Sequence, residues 1–390
     1  MRPLGELCLI ERGGSPRPID KYITDDPNGI NWIKIGDTTE SMYITRTKER
    51  IIPEGMKKSR YVQKGDFLLS NSMSFGRPYI LDIDGCIHDG WLVIRDNEGV
   101  FDKRFLYYFL GSPVTYQKFK SMAVGGVVNN LNIDMVKKIL VPVLSIAEQK
   151  EIADVLDKVT ALINYRKDQI ANLESLVKSR FIELFGDLAD PNCQWSALHL
   201  FEACESADDI KCGPFGTQLN KDEYQSTGVA VWEIPQINNG FTSFPTHFLT
   251  REKANQLSAY SLIPGDIAMS RKGNVGRCAV FPNNFPDGII HSDVLRIRLD
   301  RSRVLPIFMM YQLHFSRAIQ YQIESVSSGA IMAGINVGKL KNIIVFVPPI
   351  HLQEQFAAFV EQTDKLKLAV TEALAELETL KKSLMQQYFG

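Results

Sequence analysis

Apolar residues return every three or four positions along two long stretches of the chain. The first seam runs Leu156, Val159, Ile163, Arg166, Ile170, Leu173, Val177, Arg180, Leu184 and is apolar at seven of its nine positions. The second runs Val360, Thr363, Lys367, Val370, Leu374, Leu377, Lys381, Leu384, Tyr388 and is apolar at six of nine. This spacing is that of a coiled-coil helix. Ser145-Ile146-Ala147-Glu148 supplies a capping box where the first stretch begins, and Pro348-Pro349 precedes the second. No Gly or Pro interrupts either stretch before Gly186 and Gly390. Each predicts a helix of about 42 residues, roughly 60 Å long.

The remaining sequence alternates short apolar runs with turns. It predicts strands over 32–35, 66–70, 92–95, 229–234, 266–270 and 294–299, and helices near 103–111 and 306–324. The pattern is repeated. Residues 131–186 align with 335–390 at a constant offset of 204, with 17 of 56 pairs identical, Asn132/Asn336, Gln149/Gln353 and Phe185/Phe389 among them. Chance gives roughly one in twenty, so the match marks an internal repeat. Lys64-Gly65-Asp66, Ser70 and Gly76-Arg77 return as Pro264-Gly265-Asp266, Ser270 and Gly276-Arg277, and IHDGWLVIR at 87–95 resembles IIHSDVLRIR at 289–298. The expected order is a mixed α+β unit over 1–144, a helix over 145–187, a second α+β unit over 188–349 and a second helix over 350–390. Two matching seams are natural partners. Related by a twofold axis, they lie antiparallel, forming a rod longer than one turn of B-DNA, roughly 34–36 Å.

Composition narrows the function. The 390 residues carry 44 basic and 45 acidic side chains, which excludes a highly basic chromatin-type protein and an acidic tail. The α+β units carry net charges of +3 and 0 and each helix −2, so non-specific attraction to phosphate is weak. No apolar run is long enough for a membrane span, and the start does not read as a signal peptide. Six scattered cysteines without a C-x-x-C pair suit reduced thiols and a cytoplasmic location. The chain lacks a G-x-x-x-x-G-K-[ST] loop, a G-x-G-x-x-G fingerprint and an Asn/Asp-Pro-Pro-aromatic loop, and its histidines have no metal-ligand spacing. The one E-x-K, Glu148–Lys150, lacks the upstream acid of a nuclease. His88 and His291 recur at equivalent places and read as structural. No catalytic, metal or cofactor site is expected.

Polar loops that recur in both copies with different side chains are the candidates for contacting DNA. Arg271, Lys272 and Asn274 follow a strand directly. Asn71, Ser72 and Ser74 stand at the same place in the first copy. Arg77 and Arg277 match in position. Arg17, Asn129, Asn130, Gln218, Asn238 and Asn239 lie in other polar or Gly-rich turns. Arg and Lys donate to guanine O6/N7, and Asn or Gln pairs with adenine N6/N7.

The chain resembles the specificity subunit of type I restriction–modification enzymes along its whole length. The resemblance rests on the repeat, on the Gly-Asp…Ser…Gly-Arg pattern, on PVLSIAEQKEIADVLD (142–157) and VPPIHLQEQFAAFVE (347–361), and on the endings FIELFGD (181–187) and QQYFG (386–390). Leu144-Ser145 departs from the family's usual Pro-Pro, which alters only the helix cap. The resemblance implies two target-recognition domains separated by two antiparallel helices. Each domain reads half of an asymmetric, bipartite target in double-stranded DNA. The helices set the spacer and dock two methyltransferase (modification) subunits, through which restriction/translocase subunits join. S-adenosylmethionine, ATP and Mg²⁺ then belong to those partners, and this chain is not an enzyme. The alternatives are a specificity subunit of a related fused methylase–nuclease system, or a coiled-coil adaptor joining two protein-binding modules.

Overall fold

The computed structural model describes every residue except 72–74, 123–129, 189, 191–192 and 328–333. The two long helices are continuous over Ile146–Phe185 and Ile350–Phe389. The predicted capping box closes the first: Ser145 N–H donates to Glu148 Oε2 at 2.8 Å and Glu148 N–H to Ser145 Oγ at 3.2 Å. Every position of both seams is buried or partly buried. No helix among the described residues is long and apolar enough to cross a membrane.

The chain divides into two compact units, and the division falls within the helices. One unit is Met1–Asp168 with Thr371–Gly390, the other Gln169–Val370. Within each unit the helix segments run antiparallel. Lys167 faces Glu378 at 3.9 Å in the first, and Glu174 pairs with Lys367 in the second. The end of each long helix packs into a globular core: Phe389 against Phe105 and Phe109 (ring centroids 5.6 and 5.7 Å), and Phe185 against Phe308 (4.7 Å). The Phe185/Phe389 identity thus marks one core position filled twice.

Among the described residues each unit contains two sheets and a two-stranded clasp. In the first unit one sheet orders Leu9–Arg12, Trp91–Arg95, Phe67–Ser70, Pro78–Leu81 and Tyr43–Ile44. The other orders Ile23–Thr24, Glu49–Ile51, Ile30–Ile33, Gly85–Ile87 and Arg60–Val62, with Ile30–Ile33 and Gly85–Ile87 parallel. The second unit repeats this with Ile210–Cys212, Val294–Ile297, Ile267–Ser270 and Cys278–Val280, then His247–Leu249, Val229–Trp232, Gly288–Ile290 and Ser261–Leu262. The clasps pair Arg2 with Val141 and Leu198 with Val345, tying together the ends of each α+β region. Central strands are mostly apolar and almost wholly buried because both faces are covered. Phe67 and Leu69 join the core containing Phe105 and Phe389, whereas Leu68 joins Tyr79 and Trp91 between the sheets.

Conserved pairs within the repeat prove to be frame elements. Gln149 accepts Asp102 N–H at 2.9 Å and donates to the Val100 and Leu144 carbonyls. Gln353 accepts Leu305 N–H at 2.8 Å and donates to Arg303 and Pro348. Asn132 and Asn336 each cap a short helix through their side-chain oxygen. Asp66 binds Arg95, and Asp266 binds Arg298, both at 2.8 Å. One expectation needs correcting. The helix expected over 306–324 is two, Pro306–Phe315 and Arg317–Ser327. Ser316 between them is extended, and its carbonyl starts the second helix by accepting Gln320 N–H. Ser112 does the same between Lys103–Leu110 and Pro113–Met122, accepting Tyr116 N–H.

Candidate nucleic-acid interface

The two ends of the loop after the central strand are joined the same way in both units. Ser70 N–H donates to Arg77 O at 3.0 Å and Ser270 N–H to Arg277 O at 2.8 Å, with Gly76 and Gly276 at positive φ closing the turn. The next residue is a brace in both units. Asn71 O accepts Leu131 N–H and Arg271 O accepts Ile335 N–H, at 2.9 and 3.2 Å. Asn71 is only 1% exposed, and its amide donates to Asp89 O. It is therefore a buried support and not a surface residue open to a base, and the sequence-based expectation is corrected on that point. Ser72, Ser74 and Asn129 lie outside the described residues.

The other candidates fall at separate places. Arg271 stacks on Phe215 at 4.6 Å and donates to the Ile335 and Ser292 carbonyls. Lys272 pairs with Asp293 at 2.8 Å. Gln218 accepts from Phe215 N–H and the Tyr260 hydroxyl. Asn274 and Asn130 are exposed. Arg277, Asn238 and Asn239 come together in a cleft of about 790 Å³ with His314 and Glu324. Asn238 accepts from Ser270 Oγ at 2.9 Å, and Asn239 donates to Ser243 Oγ. In the first unit Arg77 lies 3.3 Å from Glu40 and over the Tyr79 ring. The matched arginines thus have different surroundings.

Arg17 lines a second cleft, of about 690 Å³, with Ser15, Trp32, Lys34, Glu49 and His88. His88 accepts Ile35 N–H at Nε2 (3.1 Å), and its other ring nitrogen lies 2.7 Å from Gly90 N. Burial lowers its pKa, with opposition from Asp89. Asp89 is itself held below the usual carboxylate range, first by the hydrogen bond from Ser15. Gly13 is required here. A Cβ on it would sit 2.1 Å from His88 O, and Gly213 stands in the same relation to His291 O at 2.2 Å. Burial also lowers the His314 pKa, helped by Arg277, and raises the Cys278 thiol beside it to about 12. The six cysteines are free.

The sequence reading missed one feature, the paired side chains at the mouth of the second sheet. Lys34 pairs with Glu49 in the first unit, and Glu233 with His247 at 2.7 Å in the second. Its signal was a charged residue between an apolar residue and Ile, Ile33-Lys34-Ile35 against Trp232-Glu233-Ile234, but the partner strand lies elsewhere in the sequence.

A frame built twice, with different polar side chains on corresponding loops, is matched by a family model. The type I restriction modification DNA specificity domain aligns with residues 1–175 and 209–379. The chain belongs to this specificity family. As a specificity chain it is 22% identical over 305 residues to the StySPI specificity subunit of Salmonella potsdam, covering 75% of this chain and 66% of that protein. It is also 22% identical over 312 residues to the EcoKI specificity subunit of Escherichia coli K12, covering 76% and 67%. It thus spans about two thirds of the length of each. The fold is that of the type I restriction–modification S subunit from M. genitalium (TM-score 0.59, 16% identity, covering 100% of this chain and 95% of that one). A chain from a structure on complex assembly and conformational transition of the type I R-M system matches with TM-score 0.61 at 19% identity, covering 99% and 96%.

Proposed function

We propose that this chain is the sequence-reading subunit of a type I restriction–modification enzyme. Each unit reads one half of an asymmetric bipartite DNA target, and the paired helices set the spacer. The observation that carries this reading is the doubled frame: the glutamine ties, the Asn caps and the aspartate–arginine pairs are retained, while the polar side chains on the loops differ. Two readers of two unlike half-sites need that combination.

In this reading two methyltransferase subunits dock on the helices, and restriction subunits join through them. Those partners hold S-adenosylmethionine, ATP and Mg²⁺, while the specificity chain recognises and positions without catalysing, in the cytoplasm. Exposed leucines support the docking. The first unit has Leu162 and Leu380, the second Leu176 and Leu366, each about half exposed. Leu162 and Leu366 are equivalent under the offset of 204, as are Leu176 and Leu380. Each unit therefore presents the same pair, as two copies of one partner require. The near-neutral charge makes the partners responsible for much of the hold on phosphate.

The test is selection from a random duplex library by the chain with its methyltransferase at stated salt. Two short unlike motifs at fixed spacing are expected. A stable complex without any enrichment would favour an adaptor instead.

A further inference from the structure

Lys34–Glu49 and Glu233–His247 occupy one structural position. In each unit a strand of the second sheet pairs in parallel with the strand leading to the structural histidine: Ile33 with Ile87, Trp232 with Ile290. The residue after it, Lys34 or Glu233, starts a helical turn closed by the third residue on. Lys34 N–H donates to Asp37 Oδ2 at 2.8 Å and Glu233 N–H to Gln236 Oε1 at 3.3 Å. The partner comes from the neighbouring antiparallel strand at the same register, Glu49 opposite Trp32 and His247 opposite Val231. Backbone, turn and register are kept, while the side chains change from cation–carboxylate to carboxylate–imidazole.

Several side chains that tie the frame are the same in both copies, Gln149/Gln353 and His88/His291 among them. The polar groups of this pair change between the copies, although His247 also stacks on the Tyr224 ring at 4.7 Å. The pair is also presentable. The side chains of Lys34 and Glu49 are 36% and 37% exposed and that of His247 44%, while that of Glu233 is 18% exposed and is held by both His247 and the Thr246 hydroxyl. Each partner fixes the other's direction and leaves hydrogen-bonding capacity over, since an ammonium has three donors and a carboxylate about four lone-pair sites. Such fixed but incompletely used groups suit direct readout. Arg46, Lys48, Lys57 and Lys58 are exposed on the segment that carries Glu49, where phosphates would lie.

We propose that these pairs are base readers at matched positions of the two half-sites, an inference that rests on the DNA-reading function proposed above. Lys34 donates to guanine O6/N7 and Glu49 accepts from cytosine N4–H of one G·C pair. Glu233 accepts from the cytosine amino group at the corresponding position of the other half-site, and His247 orients it.

The test uses the full chain with its methyltransferase, on the target selected from a random library and on every single-base variant of it. Glu49→Gln and Lys34→Met should lower discrimination on the order of ten- to a hundred-fold at one base pair of one half-site, leaving the other half unchanged. Glu233→Gln should do so only in the other half. Glu233→Lys combined with His247→Glu should bring in the first half-site's preference at that position. Unchanged profiles in variants that melt like the parent would overturn the inference, reducing the pairs to frame supports. Uniform loss across all sequences with a shallower salt slope would also overturn it, since that marks phosphate contacts. Should a combined variant fail to fold, the near-isosteric Glu49→Gln and Glu233→Gln still decide. No sequence preference in the parent chain would overturn the proposed function itself and this inference with it, a result separable from unchanged profiles in the variants.

Discussion

The first and second units differ little where they fold and much where they face solvent. Both enclose an aspartate–arginine pair under the central strand, a glutamine tying the start of a long helix to the core, and a phenylalanine delivered by the end of a long helix. On that common frame one unit carries Lys34–Glu49 and an Arg77 facing Glu40; the other carries Glu233–His247 and an Arg277 beside Asn238 and Asn239. The repeat is kept in its supports and changed in its exposed polar groups, and in the function proposed above one solution to folding serves two acts of recognition.

The largest effects should come from the shared core. Phe389→Ala and Phe185→Ala each remove a ring that is at most 5% exposed and should each cost about 3–5 kcal/mol. Urea unfolding followed unit by unit should show the first change weakening the Met1–Asp168 unit and the second weakening Gln169–Val370. Equal weakening of both units by either change would break the comparison.

Next come the glutamine ties. Gln149→Ala and Gln353→Ala each leave a backbone N–H and two carbonyls unmatched and should cost about 1–3 kcal/mol, near the same value in both. A strongly unequal pair of melting shifts would mean that the frames are less alike than their bonds.

Docking is the third comparison. Leu366→Asp and Leu162→Asp alter equivalent exposed positions and should each weaken one partner copy roughly tenfold. Native mass spectrometry should then show complexes with one methyltransferase in place of two. Retention of both copies would place docking elsewhere.

The smallest effect is on pH. Burial lowers the pKa of His88 in one unit and His314 in the other. The unfolded chain therefore binds more protons as pH falls through the ordinary histidine value of 6.5, and stability contributed by the neutral rings is lost. Both units should melt lower at pH 5.5 than at 7.5. His88→Asn should flatten the slope only in the first, and His314→Asn only in the second.

Much of this was legible in the residues. The helix register, the capping box at Ser145 and the Gly-Asp pattern are local signals, and the repeat doubled the first and the last of them. Non-local facts were not legible. That Phe185 enters the core containing Phe308, and that Glu49 lies opposite Trp32, depend on packing and register across distant segments. The burial of Asn71 was hidden because a polar residue in a polar loop reads as exposed until its partners are known. The break at Ser316 carries no proline, and only its match to Ser112-Pro113 in the other copy hints at it.

The central claim is that each unit reads its own half of the target. The clasps mark where one α+β region can replace the other. Val141 pairs with Arg2, and Val345 with Leu198. A chain in which residues 2–141 replace 198–345, assembled with the methyltransferase, should select from a random duplex library an inverted repeat of a single motif, the half-site belonging to the first unit. Selection of the original asymmetric target, or of no sequence by a folded complex, would contradict the account.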